Sequence, residues 1–279
     1  MGEPVTIPRQ DGTLAARMYR AERPRAVAVL NPATGVPQSY YQPFADWLAV
    51  QGVSCLTYDY RGFGASAQGP VRDVTLNMAD WGVHDQQAAR DWLSDQAPDL
   101  PLWVIGHSLG GFTLGYQSGL ERIARVIALC SGPLHVSDHP WPYQAMARVF
   151  WFALGPGLVA TTGYLPGRLS GLRADVPGPV FRQWKIWCTK RGFHLADTSL
   201  PPHDASALQA PLRSVAPSDD VMIPPAVVAR LGELYPKSRQ THVTLDIADY
   251  GLHKVGHLAI FARRNAVLWP IVLGDDAQL

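Results

Sequence analysis

Four apolar, β-rich runs at residues 26–31, 53–58, 102–105 and 126–129, separated by stretches with helical spacing such as 40–51 and 80–95, constrain most strongly how this chain can fold. Runs that are apolar at nearly every position make strands buried on both faces, and such strands belong to parallel sheets joined by helical crossovers. Their alternation predicts a doubly wound α/β sheet. Ligands of such sheets lie at the carboxyl ends of the strands, so chemistry is sought in the residues that directly follow each run. Ahead of the first run, residues 4–7 and 14–19 flank Gln10-Asp11-Gly12, which reads as an antiparallel hairpin at a sheet edge.

The alternation stops between residues 135 and 206. That stretch is rich in Pro, Gly and tryptophan (Trp141, Trp151, Trp184, Trp187), with short helical pieces at 143–154 and 179–190. It resumes with a strand at 212–216, a helix at 226–234, a strand at 243–247 and a final helix at 257–268. The expected organisation is one core domain from residues 1–134 and 207–279, carrying eight strands, interrupted by a helical cap (lid) at 135–206. No composition shift marks a flexible linker, so the insertion is expected to pack firmly on the core.

Of the 279 residues 47% are hydrophobic and 17% charged, enough for a substantial buried core. The formal net charge is +1 and no dense Lys/Arg run is present, which argues against a nucleic-acid surface or a polybasic membrane footprint. A small-molecule partner is expected. No stretch is long enough and free enough of Pro, Gly or charge to span a bilayer, so stable membrane insertion is not expected, and residues 1–10 lack an apolar signal core. A cytoplasmic enzyme is the default expectation. Cys55, Cys130 and Cys188 are too few and too scattered for a disulfide framework or zinc site and read as core thiols. Oligomeric state is left open.

The segment Gly106-His107-Ser108-Leu109-Gly110 fits G-x-S-x-G. It follows the apolar run 102–105 and precedes a helical pattern at 112–120, the strand-turn-helix context that this motif requires. Glycines on both sides allow the chain to turn tightly enough to hold the Ser108 hydroxyl clear of its own backbone, where exposed N–H groups favour a developing negative charge. Leu109 N–H is one candidate oxyanion donor, and His107 is expected to point away into packing. Two further segments follow strands: Asn31-Pro32-Ala33-Thr34-Gly35, and Asp59-Tyr60-Arg61-Gly62-Phe63-Gly64-Ala65-Ser66.

With these motifs the chain resembles the α/β-hydrolase superfamily, in its capped serine esterase/lipase-like variety. The resemblance implies a mostly parallel eight-stranded sheet with helices on both faces. It makes Asp59 to Ser66 a scaffold loop and places a second oxyanion donor in the loop after residue 31, with Ala33 at the matching position. Pro32 departs from the usual pattern, having no N–H to give, so the donor is Ala33 or Thr34.

The superfamily order of catalytic residues is Ser, then Asp or Glu, then His. After the strand at 212–216 comes Pro217-Ser218-Asp219-Asp220-Val221-Met222-Ile223-Pro224, and the resemblance favours Asp220, with Asp219 as the alternative. Val255-Gly256-His257-Leu258 matches the placement of the base, so His257 is chosen over His253. The expected reaction is cleavage of a small carboxylic ester through an acyl-enzyme on Ser108, without cofactor or metal. Acyl transfer, amide or carbon–carbon bond cleavage on the same residues, and a non-catalytic binding protein, remain alternatives. Asp80 and His84, four apart on a helical stretch, lack further ligands for a metal and read as a solvated face.

Overall fold

The computed structural model describes residues 2–274. Eight strands form one sheet: β1 (Glu3–Arg9), β2 (Gly12–Tyr19), β3 (Ala26–Asn31), β4 (Val53–Tyr58), β5 (Leu102–His107), β6 (Ile123–Leu129), β9 (Leu212–Pro217) and β10 (Gln240–Leu245). Their order is β1-β2-β4-β3-β5-β6-β9-β10. Pairings from β4 to β10 are parallel, and the hairpin of β1 and β2 adds antiparallel pairs at one edge. The sheet is therefore mixed at that edge and parallel elsewhere. Every residue of β3, β4 and β5 is buried, whereas five of the six residues of the edge strand β10 are not. Central strands lie between two apolar layers, one containing Phe44, Phe261 and Trp269 and the other Tyr60, Trp81 and Leu93.

The chain passes from β3 to β4 on one side and then returns across β3 to β5, so the sheet changes winding direction between β3 and β5. The loops leaving those two strands diverge there and leave a crevice, which is where open α/β sheets bind ligands. Asn31 to Gly35 and the Ser108 turn are the two walls of that crevice.

Between β6 and β9 the chain leaves the sheet. Helical turns run without a break from Tyr143–Val149 through Phe150–Leu154 to Gly155–Thr162, the middle stretch in wider π geometry. A two-stranded ribbon, β7 (Tyr164–Leu165) and β8 (Val176–Pro177), leads to the helix Gly178–Thr189. The two helical stretches are fastened by rings: Trp151 meets Trp184 edge-on with centroids 5.0 Å apart and stacks on Phe181 at 5.9 Å.

Two expected helices are absent. Residues 112–120 form only a short 3-10 turn, Leu114–Tyr116, because Gly119 takes a left-handed φ of 71° and the polar side chains of this stretch bond outward. Gln117 Nε2 donates to Gly82 O at 3.0 Å, and the Thr113 hydroxyl donates to the same carbonyl. The final stretch likewise breaks into Ala259–Phe261, Arg263–Leu268 and a closing helix Trp269–Leu273, since Ala262 is extended (ψ 137°). Tertiary hydrogen bonds outweigh the helical spacing in both places. The last strand also begins three residues earlier than the apolar pattern indicates, at Gln240.

Candidate active site

Ser108 follows β5 directly and adopts φ 53°, a left-handed conformation that costs a non-glycine residue of order 1 kcal/mol or more. The surroundings hold it there. A side chain on Gly106 would meet the backbone of Gly110, one on Gly110 would meet Asn31 O, and one on Gly111 would lie 2.6 Å from Ser131 Oγ. The glycines of the motif are thus required by close packing, none of the three having a positive φ. Ser131 Oγ donates to Ser108 O at 2.7 Å, and beneath the turn Asn31 Nδ2 donates to Gly110 O and to Gln86 Oε1, both at 3.2 Å. Gln86 Nε2 in turn donates to Leu109 O at 3.3 Å.

On the loop after β9, Asp220 is buried and its Oδ1 accepts from Met222 N (2.9 Å) and Ile223 N (3.0 Å). Its Oδ2 lies 2.9 Å from His257 Nδ1, so the carboxylate fixes the imidazole with Nε2 turned away from it. Asp219 faces elsewhere: it accepts from Val255 N (2.9 Å) and Gly256 N (2.8 Å), anchoring the loop that carries His257. The two neighbouring carboxylates therefore hold the same loop by different atoms, and only Asp220 meets the ring. His253 is exposed.

His107 is fully buried, as expected for a residue facing the packing, but it is not a bystander. Ala33 N–H donates to Tyr41 Oη at 2.9 Å, the Tyr41 hydroxyl donates to His107 Nδ1 at 2.9 Å, and His107 Nε2–H donates to His257 O at 3.0 Å. This chain of bonds ties the β3 loop, the serine turn and the backbone of His257 together. Burial, reinforced by the neighbouring His257, holds the His107 imidazole well below its ordinary range and keeps it neutral, as the bonding pattern requires. Ala33 N–H is spent on Tyr41, which corrects the expectation that it faces the reacting centre. Thr34, the next residue, lines the cavity.

Ser108 and His257 share the wall of a cavity of about 200 Å³ at the β3/β5 crevice. Leu109 and Thr34 lie beside them, and the inserted segment closes the other side with Met146, Phe150, Trp151 and Trp184. The lining is mostly apolar. His139 and Tyr143 add polar atoms, with His139 Nδ1 donating to Val221 O at 3.1 Å on the Asp220 loop.

The loop Asp59 to Ser66 supports the crevice. Asp59 accepts from Gln38 N (2.7 Å) and Ala65 N (2.9 Å), and Arg61 Nε pairs with buried Asp85 at 2.6 Å. Burial pushes the Asp85 carboxyl up to about 6, against the lowering effect of Arg61. Asp80 accepts from Asn77 N at 2.8 Å while His84 is exposed, so the helical pair does not converge. Among the described residues one cluster, His107, Cys130 and His257, has metal-ligand types within 4.8 Å of one another. Both ring nitrogens of His107 and Nδ1 of His257 are already bonded, which leaves too few free donors to hold an ion. All three cysteines are buried and unpaired.

The family model described as "Serine aminopeptidase, S33" matches residues 22–170, more than half of the chain. The chain belongs to this α/β-hydrolase family. Among curated relatives, polyketide transferase grgF of a Penicillium species is 28% identical over 137 residues, which cover 44% of this chain and 45% of the relative. The uncharacterized protein YfhR of Salmonella typhi is 29% identical over 117 residues, 39% of this chain and 38% of its own. These matches thus span less than half of either relative. Solved structures agree on the fold across nearly the whole length. A soluble variant of the Saccharomyces cerevisiae monoglyceride lipase superposes with a TM-score of 0.65 at 14% identity, covering 98% of this chain and 94% of its own. A carboxylesterase structure from the ammonia-oxidizing thaumarchaeon Nitrososphaera gargenis gives 0.61 at 12% identity, covering 97% of both chains.

Tyr41, Asn31, Gln86 and Ser131 were not singled out by sequence reasoning. Tyr41 and Gln86 sit in helical stretches that look like any amphipathic crossover, and their roles arise from contacts 66 and 55 residues distant in sequence. Asn31, closing a fully apolar strand, is the one with a visible signal: a polar side chain at the end of a run buried on both faces needs partners.

Proposed function

We propose that the protein is a serine hydrolase that cleaves a small carboxylic ester with an apolar acyl group, using Ser108, His257 and Asp220. The observation that carries this reading is the 2.9 Å bond from Asp220 to His257 Nδ1 on the wall of the same cavity as the left-handed Ser108. His257 Nε2 takes the Ser108 proton as the hydroxyl attacks the ester carbonyl, and Asp220 stabilises the imidazolium. The oxyanion is received by the N–H groups of Leu109 and Thr34, the latter replacing Ala33. His257 then gives its proton to the departing alcohol, and an acyl-enzyme on Ser108 remains. Water, deprotonated by His257, releases the acid and restores the serine. One donor in such a hole lowers the barrier by about 2.7 to 4 kcal/mol. In this reading residues 135–206 are a cap whose rings surround the acyl group.

Similarity to the Penicillium polyketide transferase favours a second reading, transfer of the same acyl group to an alcohol instead of water. The two readings share the acyl-enzyme and differ in what attacks it.

A fluorophosphonate probe tests the chemistry. It is expected to label Ser108, and the label and the turnover of p-nitrophenyl esters are expected to vanish together in Ser108→Ala. Labelling that persists in the variant overturns the assignment. Adding a primary alcohol to the ester assay separates hydrolysis from transfer: a new ester as the main product favours the second reading.

A further inference from the structure

Two helical stretches of the inserted segment expose large apolar side chains side by side. Met146 and Val149 are each 61% exposed and Phe152 56%, at successive turns of one stretch, while Ile186 on the neighbouring helix is 39% exposed. Exposed apolar side chains gathered in this way mark an interaction surface. The patch continues into the cavity, because Met146 both lines it and reaches solvent.

The polar residues around this patch carry one sign. Between residues 143 and 190 the chain has Arg148, Arg168, Arg173, Arg182, Lys185 and Lys190 against a single acid, Asp175, although its overall charge is only +1. Three of the six border the patch. Arg148 precedes Phe152 by one helical turn, Lys185 Nζ lies 5.6 Å from the centre of the Phe152 ring, and Arg182 precedes Ile186 by one turn of the second helix, which ends just before Lys190. Arg148, Arg182 and Lys190 are exposed, and neither helical stretch contains an Asp or Glu.

We propose that this face seats the protein on an anionic lipid surface, with the mouth of the cavity turned toward the lipid. Apolar side chains bordered by Lys and Arg on surface helices are the composition that binds the headgroup boundary without spanning the bilayer. A second copy of this chain fits less well, since two such faces meeting across a two-fold axis bring like charges together. The inference rests on the surface alone and stands whether or not Ser108 performs the proposed chemistry.

Cosedimentation of the full chain with vesicles tests it. Binding is expected to vesicles of phosphatidylcholine mixed with phosphatidylglycerol, to weaken in high salt, and to be much lower with phosphatidylcholine alone. Arg182→Glu with Lys185→Glu, and separately Val149→Ser with Phe152→Ser, are each expected to reduce the partition coefficient at least about tenfold. Unfolding midpoints and far-UV circular dichroism equal to those of the parent establish that the variants remain folded. No binding to anionic vesicles, equal binding to neutral ones, or variants that bind like the parent would overturn the proposal. So would sedimentation-velocity evidence of a dimer that Val149→Ser with Phe152→Ser dissolves, because the patch would then be an interface between copies, as would binding to polyglutamate but not to vesicles.

Discussion

The strand-end side of the cavity and the inserted side are built by different means. Around Ser108 and His257 the buried polar groups are paired over long sequence distances, from Asn31 to Gly110, from Tyr41 to His107 and from His107 to His257, so that loops from β3, β5 and the last stretch are bonded to one another. The inserted side is held mainly by ring packing, Trp151 against Phe181 and Trp184, with apolar atoms facing the cavity. Directional bonds fix atoms to within tenths of an ångström, whereas ring packing fills volume and tolerates adjustment. On that difference the first side suits fixed geometry and the second suits an adaptable apolar wall.

The largest effect is expected at the acid. With Asp220→Asn the carboxylate that holds His257 in its tautomer is gone, and kcat is expected to fall by about 10⁴-fold. Asp219→Asn, one residue away, loses only an anchor for the Val255–Gly256 backbone and is expected to lose far less; steady-state kinetics on one ester compare the two. Equal losses would mean that the loop is held as a block and that the distinction between the carboxylates is false.

A smaller effect is expected for Tyr41→Phe, which removes a hydroxyl bonded to both Ala33 N and His107 Nδ1. Two buried groups lose their partner, so denaturant unfolding is expected to show a loss of about 1 to 3 kcal/mol. Turnover is expected to drop with KM nearly unchanged, the mark of a residue that positions the reacting groups. On the inserted side the pattern reverses. Trp184→Ala opens the cavity wall and is expected to raise KM for longer acyl chains several-fold more than it lowers kcat. If it lowered kcat as Tyr41→Phe does, the division of labour between the two sides would fail.

The last expected effect, spread over several pH units, is on stability against pH. Burial holds His194, in the inserted segment, down to about 3, from an ordinary 6.5. A depressed histidine stays neutral in the folded protein while the unfolded chain takes up a proton, so its contribution is complete above pH 6.5 and is lost progressively as the pH falls toward 3. Urea midpoints measured through that window are expected to decline less steeply in His194→Phe than in the parent. An unchanged slope would indicate that His194 does not titrate across this window as described.

Much of this was open to a reading of the residues. The apolar runs of β3, β4 and β5 require burial on both faces wherever they are placed, and this alone directs the chain toward a parallel sheet with its chemistry at the strand ends. The glycines of the serine motif likewise announce a tight turn, although their reason, clearance from Gly110, Asn31 and Ser131, is visible only in the packed molecule. Helical spacing misled at 112–120 and 257–268, where side-chain bonds to distant backbone and an extended Ala262 broke the pattern.

By itself the sequence determined the class of fold, the strand after which Ser108 turns and the order in which candidate acid and base follow, because these depend on local periodicity and motif spacing. Only the tertiary structure decided that Asp220 and not Asp219 meets His257, that Tyr41 takes the Ala33 N–H, and that Arg148, Arg182 and Lys185 border one apolar face. Each of these is a matter of direction in space. Adjacent residues in a loop point different ways, and residues tens of positions apart become neighbours only when the helices that carry them pack.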